Sequence, residues 1–244
     1  MESYDKTYIV KFVFCIFIIV CFIFAFGFIF SSVIERAKPS QTLAEAYEGY
    51  VLVIDAGHGG EDAGAVAEDG TLEKDLNLEI ASLIRVLCDL NGTRAVMTRE
   101  DDRLLYDHYD ELDDYTGHKK EYDLKNRVKI ANELENPIFI SVHMNKFAQT
   151  KYSGTQIYYS KNNPSSQLLA RGIQNMTRAY AQPSNKRPIK QADSSIFVLN
   201  KLECPAVLVE CGFISNEAEL ELLKTSEHQA KMSLIIFLSA ISMS

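Results

Sequence analysis

The chain has 244 residues, 47% of them hydrophobic, enough for one well-packed domain and without a compositional sign of disorder. Its 25 lysines and arginines are scattered among 33 aspartates and glutamates, and the net charge of −8 argues against a nucleic-acid or phosphate-surface binder. The five cysteines show neither a disulfide framework nor a CxxC pattern, so a metal site has to be sought among histidines and carboxylates.

After a short flank (1–11), every residue from Phe12 to Phe30 is apolar or glycine, a length that crosses a hydrocarbon core as a helix at ~1.5 Å per residue. The run leads into Ser31-Ser32-Val33-Ile34-Glu35-Arg36 rather than an A-x-A-like exit, so an uncleaved transmembrane or signal-anchor segment is expected over 12–30. Secretion after cleavage is the alternative. Lys6 and Lys11 are balanced by Arg36 and Lys38, so charge does not orient the span. Residues 31–49, with Pro39, resemble a tether, and a folded domain is expected over 50–244.

Within that domain, strand-like runs occupy Val51–Asp55, Arg94–Thr98, Ile138–His143, Gly154–Tyr159, Ile196–Asn200 and Ala206–Cys211. Helical patterns alternate with them over Leu72–Leu90, Asp123–Leu134, Ser165–Tyr180, Glu217–Leu223 and about Glu227–Ile241. Such alternation predicts an α/β domain, its mainly parallel sheet covered on both faces and its ligands gathered at the carboxyl ends of the strands. The irregular stretch Glu100–Tyr122 is expected to be a surface excursion, with Lys119-Lys120 in a solvated loop.

Four residues carry chemistry: His58 in GHGG, Glu73 in TLEKD, His143 at the end of IFISVH, and Glu210 after AVLV. Three of them suit a zinc site that keeps one position open for water, and the fourth suits a base for that water. Each also has an ordinary explanation. His58 fits a plain glycine turn, Glu73 suits the first turn of a helix capped by Thr71, and His143 suits a core histidine bonded to backbone. Glu210 is hardest to place structurally, because an unpartnered carboxylate in a poorly solvated sheet is costly. Asp55 and Asp62 are further candidate ligands, or brace the loop and orient a ligating imidazole. Asn145 is placed to orient site groups or substrate, and His108, His118 and His228 lie in polar contexts and are expected to be exposed.

DAGHGGEDAGAV, LEKDLNLEIA, MTRED, LKNRVKIAN, ISVHMN, SGTQIYY and PAVLVECGFISN, in that order over 50–244, resemble the zinc-dependent N-acetylmuramoyl-L-alanine amidases. The resemblance implies a single α/β domain with a twisted sheet of about six strands. It also implies one zinc ion held by His58, Glu73 and His143, with Glu210 as catalytic base, while Arg99, Arg127 and Asn132 fall on structural positions. The chain departs from the family pattern at Ala56 and Ala63, where proline is usual. A lone catalytic domain behind an apolar segment is most similar to the germination-specific amidases of spore-forming bacteria.

That resemblance implies peptidoglycan of the spore cortex as substrate and muramic-δ-lactam as the eventual product, a peptidoglycan deacetylase acting next. It further implies a catalytic domain outside the cytoplasmic membrane, in the cell envelope or spore intermembrane space, and allows an activating protein partner. Other readings of the same residues are a zinc peptidase cutting within the stem peptide and a non-catalytic module organised by zinc.

Overall fold

All six residues of VLVIDA are buried, as befits a strand covered on both faces, and they form β1 (Val51–Ala56), an interior strand of the sheet. The computed structural model describes residues 49–105 and 118–243. The apolar run 12–30, the tether up to residue 48, and the middle of the 100–122 excursion with His108 lie outside the described residues. The sheet also contains β2 (Ala95–Met97), β3 (Pro137–Asn145), β4 (Gln156–Tyr159), β5 (Lys190–Gln191) and β6 (Ala206–Phe213), in the order β2-β1-β3-β6-β4-β5. Every pairing is parallel except β4 with β6.

Alternate residues of these strands feed two cores. Ile54, Ile140 and Val209 point to the side covered by α1 (Glu73–Asn91), α3 (Pro164–Tyr180) and α6 (Ser226–Ile241). Val53, Phe139 and Ala206 point to the opposite side, under α2 (Lys119–Asn132) and α4 (Phe197–Lys201). The short α5 (Glu217–Leu223) adds Leu220 and Leu223 to the first core. On α1, Ile80 and Ile84 lie one turn apart and are fully buried, each contributing about 1.5–3 kcal/mol of hydrophobic stabilisation.

Helix ends follow local chemistry. Asn163 caps α3 by accepting from Ser165 N at 3.0 Å, with Pro164 at the first helical position, and Asn216 caps α5 by accepting from Glu219 N at 3.0 Å. The expected cap of α1 differs. Its N-cap is Leu72, without a side-chain bond, and its first N–H groups reach loop carbonyls instead: Glu73 N to Ala65 O at 2.9 Å and Lys74 N to Ala63 O at 3.2 Å. Thr71 is therefore not the cap, because the preceding loop folds back over the helix start.

Two other expectations are corrected. Ile196–Asn200 is not a strand but the approach to α4 and its body. Val198, Leu199 and Leu202 are buried at helical spacing, and a short apolar run does not distinguish the two conformations by itself. The outer strand is instead the two-residue β5, too short and exposed to leave a pattern. Lys119-Lys120 is not a loop but the first turn of α2, where Lys119 pairs with Glu61 and Lys120 with Asp62 at 3.2 Å.

Candidate active site

The parallel strands β1, β3 and β6 open their carboxyl ends on one edge. His58 follows β1, Glu73 is the first residue of α1, and His143 on β3 stands in register with Glu210 on β6. Pairing then skips, resuming with Asn145 opposite Phe213. The extra residue on β6 makes a bulge where the strand leaves the site.

Two glycines let these side chains approach. A Cβ on Gly57 would lie 2.2 Å from Cε1 and Nε2 of His143, and one on Gly64 would lie 2.6 Å from Glu73 Oε2 and 2.7 Å from His58 Cδ2. His58 itself has φ 63°, a left-handed conformation that costs a non-glycine residue on the order of 1–3 kcal/mol. Its carbonyl is held in that position by Arg127 Nη2 at 2.7 Å.

Around this turn three ligand-type groups converge. Glu73 Oε1 lies 3.2 Å from His58 Nε2 and 3.0 Å from His143 Nδ1, and the ligand atoms of the three residues all fall within 4.8 Å of one another. Tetrahedral zinc with bonds near 2 Å separates its ligand atoms by about 3.3 Å, so the donor set and its spacing fit that ion. The carboxylate is fixed by Ala65 N on Oε2 at 2.7 Å and Met144 N on Oε1 at 3.1 Å. Burial works against its charge, yet the two imidazoles outweigh burial and hold Glu73 well below the usual carboxylate range. Burial likewise opposes a charged His58, but hydrogen bonds to Asp62 and Glu73 carry its pKa up to about 9. Asp62 Oδ2 meets His58 Nδ1 at 2.9 Å and so leaves Nε2 facing the site.

Glu210 sits beside this cluster without joining it. Its Oε2 is shielded from solvent and has no hydrogen-bond partner among the described residues. Burial pushes its carboxyl up to about 7, with His143 pulling it down and the charge of Glu73 adding to the rise. An acid poised near neutrality beside a candidate metal site is suited to taking and returning a proton. A cavity of about 210 Å³ opens next to both histidines, between Leu124 on α2 and Phe197 on α4, with Leu208 as its floor.

Behind the site lies a buried polar frame. The five N–H groups of Arg127 all find acceptors: Asp55 and Ala56 O from Nη1, Asp123 from Nε and Nη2, and His58 O from Nη2. Burial pushes the Asp55 carboxyl up, but Arg127, Ser141 and Thr98 more than offset it and keep Asp55 below its ordinary value. Arg99 ties the carbonyls of Ala56, Gly57 and Lys74 together at 2.9, 3.1 and 2.7 Å. Asp102 takes Gly60 N at 2.7 Å and Lys74 Nζ at 2.6 Å, and the same Nζ donates to Gly60 O at 2.8 Å.

The structure thus brings His58, Glu73 and His143 together with Glu210 alongside. Asp62 orients an imidazole, whereas Asp55 belongs to the arginine frame and does not join the ligand group. His118 is exposed, but His228, expected to be so, is half-buried where α6 lines a groove with Leu222 and Leu223. The sequence reading did not single out Lys74, Asn77 or Asp102. Asn77 donates to Gly57 O at 3.1 Å and to Glu73 Oε1 at 3.4 Å, and its signal was a polar residue one turn after Glu73 on the buried face of an amphipathic helix.

Comparison with known proteins agrees with this geometry. The profile of the N-acetylmuramoyl-L-alanine amidase family matches residues 52–241. The germination-specific N-acetylmuramoyl-L-alanine amidase of Bacillus subtilis is 32% identical over 221 residues, covering 91% of this chain and 88% of its own length. The CwlD amidase of Clostridioides difficile, solved in complex with the GerS lipoprotein, superposes with a TM-score of 0.73 at 37% identity, over 80% of this chain and 98% of that one. The catalytic domain of CwlV, an amidase of Bacillus (Paenibacillus) polymyxa, superposes with a TM-score of 0.63 at 28% identity, over 80% of this chain and 97% of that one. With the fold, the converging side chains and a family match across the whole described domain in agreement, this chain belongs to the N-acetylmuramoyl-L-alanine amidase family.

Proposed function

We propose that His58, Glu73 and His143 hold one zinc ion and that Glu210 is the proton shuttle for hydrolysis of the bond between N-acetylmuramic acid and L-alanine. The observation that carries this reading is the convergence of two imidazole nitrogens and one carboxylate oxygen beside an unpartnered Glu210 Oε2. Zinc held there would polarise the amide carbonyl and lower the pKa of bound water enough to make it a nucleophile at neutral pH. Glu210 accepts the proton of the attacking water and delivers it to the departing alanine nitrogen, which makes that amine a competent leaving group. Asp62 keeps the Nδ1 proton on His58, Ala65 N and Met144 N aim the Glu73 carboxylate, and Arg99 and Arg127 hold the turn that presents His58.

The spore cortex is the proposed substrate, with cleavage opening the way to muramic-δ-lactam once a peptidoglycan deacetylase has acted. The germination-specific relative supports this setting. The proposed organisation is a membrane anchor over 12–30, a tether over 31–49 and the catalytic domain from residue 50, outside the cytoplasmic membrane; the uninterrupted apolar run supports it. The complex of CwlD with GerS supports an accessory protein partner.

The test is a digest of purified muropeptides followed by mass spectrometry. The expected products are intact glycan and peptides with a free L-alanine amino terminus, at about one zinc per chain. Glu210→Gln is expected to retain zinc and to lose about 10²-fold or more in rate. Products cut inside the stem peptide, or a Glu210→Gln variant of normal rate, would overturn the assignment.

A further inference from the structure

Several cations of this acidic chain gather around one groove. A cavity of about 760 Å³ is bordered by Lys151, Lys186, Arg187 and Lys231, while burial and then Lys231 hold the half-buried His228 beside them below its ordinary pKa. Its one carboxylate, Glu219, is already committed to backbone: Oε1 accepts from Gly154 N at 2.7 Å and Oε2 from Phe213 N at 2.8 Å.

Arg187 is held ready within the groove. Its Nε donates to Ser153 O at 2.7 Å, and its guanidinium lies 4.5 Å from the ring centre of Phe213 and 5.8 Å from that of Tyr152. Tyr152 is braced edge-on by Phe147 at 5.0 Å, and Arg178 Nη2 fixes the Arg187 carbonyl at 2.6 Å. Both Nη groups of Arg187 lack an acceptor among the described residues, so a planar fork with four free N–H groups faces the groove. That is the geometry that recognises a carboxylate.

Register relates the wall of this groove to the strand that carries Glu210. Gln156 on β4 pairs with Glu210, and Gly154, on the wall of the groove, lies two residues earlier, so with about 3.3 Å per residue along the strand and about 4.8 Å across it the wall begins about 8 Å from the Glu210 backbone. An extended peptide covers the same span in about two to three residues. The glycan of the substrate is neutral, and its muramyl carboxyl is tied up in the scissile amide. Free carboxylates therefore lie on the peptide side, and the first is the α-carboxyl of the γ-linked D-glutamate after L-alanine, which occurs either free or amidated.

Resting on the amidase reading above, we propose that Arg187 and its groove bind the free α-carboxylate of the second stem-peptide residue, making the enzyme selective for the acid over the amide. The neighbouring lysines draw the peptide in, and Arg187 supplies the two-pronged contact.

The experiment compares hydrolysis by the full-length chain of two probes whose γ-carboxyl is blocked as a methylamide, N-acetylmuramoyl-L-alanyl-D-glutamate γ-methylamide and the corresponding D-isoglutamine γ-methylamide, so that only the α-position differs. The expected result is kcat/KM at least tenfold higher for the acid, carried mainly by KM. That preference should shrink in Arg187→Met, be partly kept in Arg187→Lys, and weaken for the unaltered chain as salt screens the groove. Equal rates for the two probes, or a preference unaltered by both salt and Arg187→Met, overturn the proposal and leave the amidase reading standing. An acidic protein captured by the groove in the absence of any acid preference would likewise overturn it. Failure of the unaltered chain to cleave either probe, or polymeric peptidoglycan, would count against the amidase reading itself.

Discussion

Replacing Arg127 with methionine isolates the frame that holds the His58 turn. The substitution keeps much of the side-chain volume but removes the charge and five donated hydrogen bonds from a position that is 2% exposed. Asp55 and Asp123, themselves 1% and 2% exposed, would be left as buried carboxylates without their cation. Breaking a buried pair from one side costs about 3–5 kcal/mol, which at a urea m-value of roughly 2 kcal/mol/M lowers the midpoint by about 2 M. Lysine restores the charge with three donors in place of five and should recover part of the loss.

The effect of pH follows from Asp55. Its folded pKa lies below the ordinary value, so its stabilising contribution is present above that value and lost as pH falls through the folded pKa. Without Arg127 the carboxyl takes up a proton more readily, and the gap between the two proteins should narrow from pH 7 toward pH 4. Because Arg127 also anchors the His58 carbonyl, zinc affinity should fall alongside stability. Urea titrations at both pH values, paired with metal content, test the argument. A loss under about 1 kcal/mol at pH 7, or a gap constant across pH, would refute it.

Gly57→Ala should cost about 1–3 kcal/mol through overpacking and should displace the His143 ring, so that metal content falls more sharply than the melting temperature; undiminished zinc would contradict the 2.2 Å approach. Asp62→Ala should weaken zinc binding by about 10–100-fold in a chelator competition while leaving the fold intact, and unchanged affinity would remove Asp62 from its orienting role. In metal-free protein the raised pKa of Glu210 means that the folded state keeps a proton which the unfolded chain has lost, so stability from this group declines as pH rises from about 4.5 to about 7. Glu210→Gln should therefore gain about 2 kcal/mol relative to the unaltered chain between pH 5 and pH 8 under chelation, and a difference independent of pH would count against a shielded carboxyl.

Much of this arrangement was legible because it rests on local patterns. Fully apolar runs ending in His or Glu mark central parallel strands, and the GHGG turn and the acid opening α1 stand out against their flanks. What escaped depends on partners distant in sequence. Asp102 is an unremarkable loop acid until Lys74 and Gly60 meet it, and Lys119-Lys120 resembles a solvated pair until Glu61 and Asp62 draw it into a helix start. The loop carbonyls that cap α1 have no sequence signature, since any residue supplies a carbonyl. The strand expected over Ile196–Asn200 is a helix instead because five residues are too few to separate a period of two from one of 3.6.

The contact of Glu73 with both imidazoles has a thermodynamic consequence for loading. Without a metal, His58 lies between Asp62 and Glu73 as an imidazolium at neutral pH, so these three side chains hold one positive and two negative charges and keep a net charge of about −1. Zinc uptake at the proposed site would then be an exchange, one divalent cation in and the His58 proton out, and apparent affinity should climb with pH up to about 9. The heat of the exchange should track the ionisation enthalpy of the buffer, so calorimetry in two buffers would count the protons released.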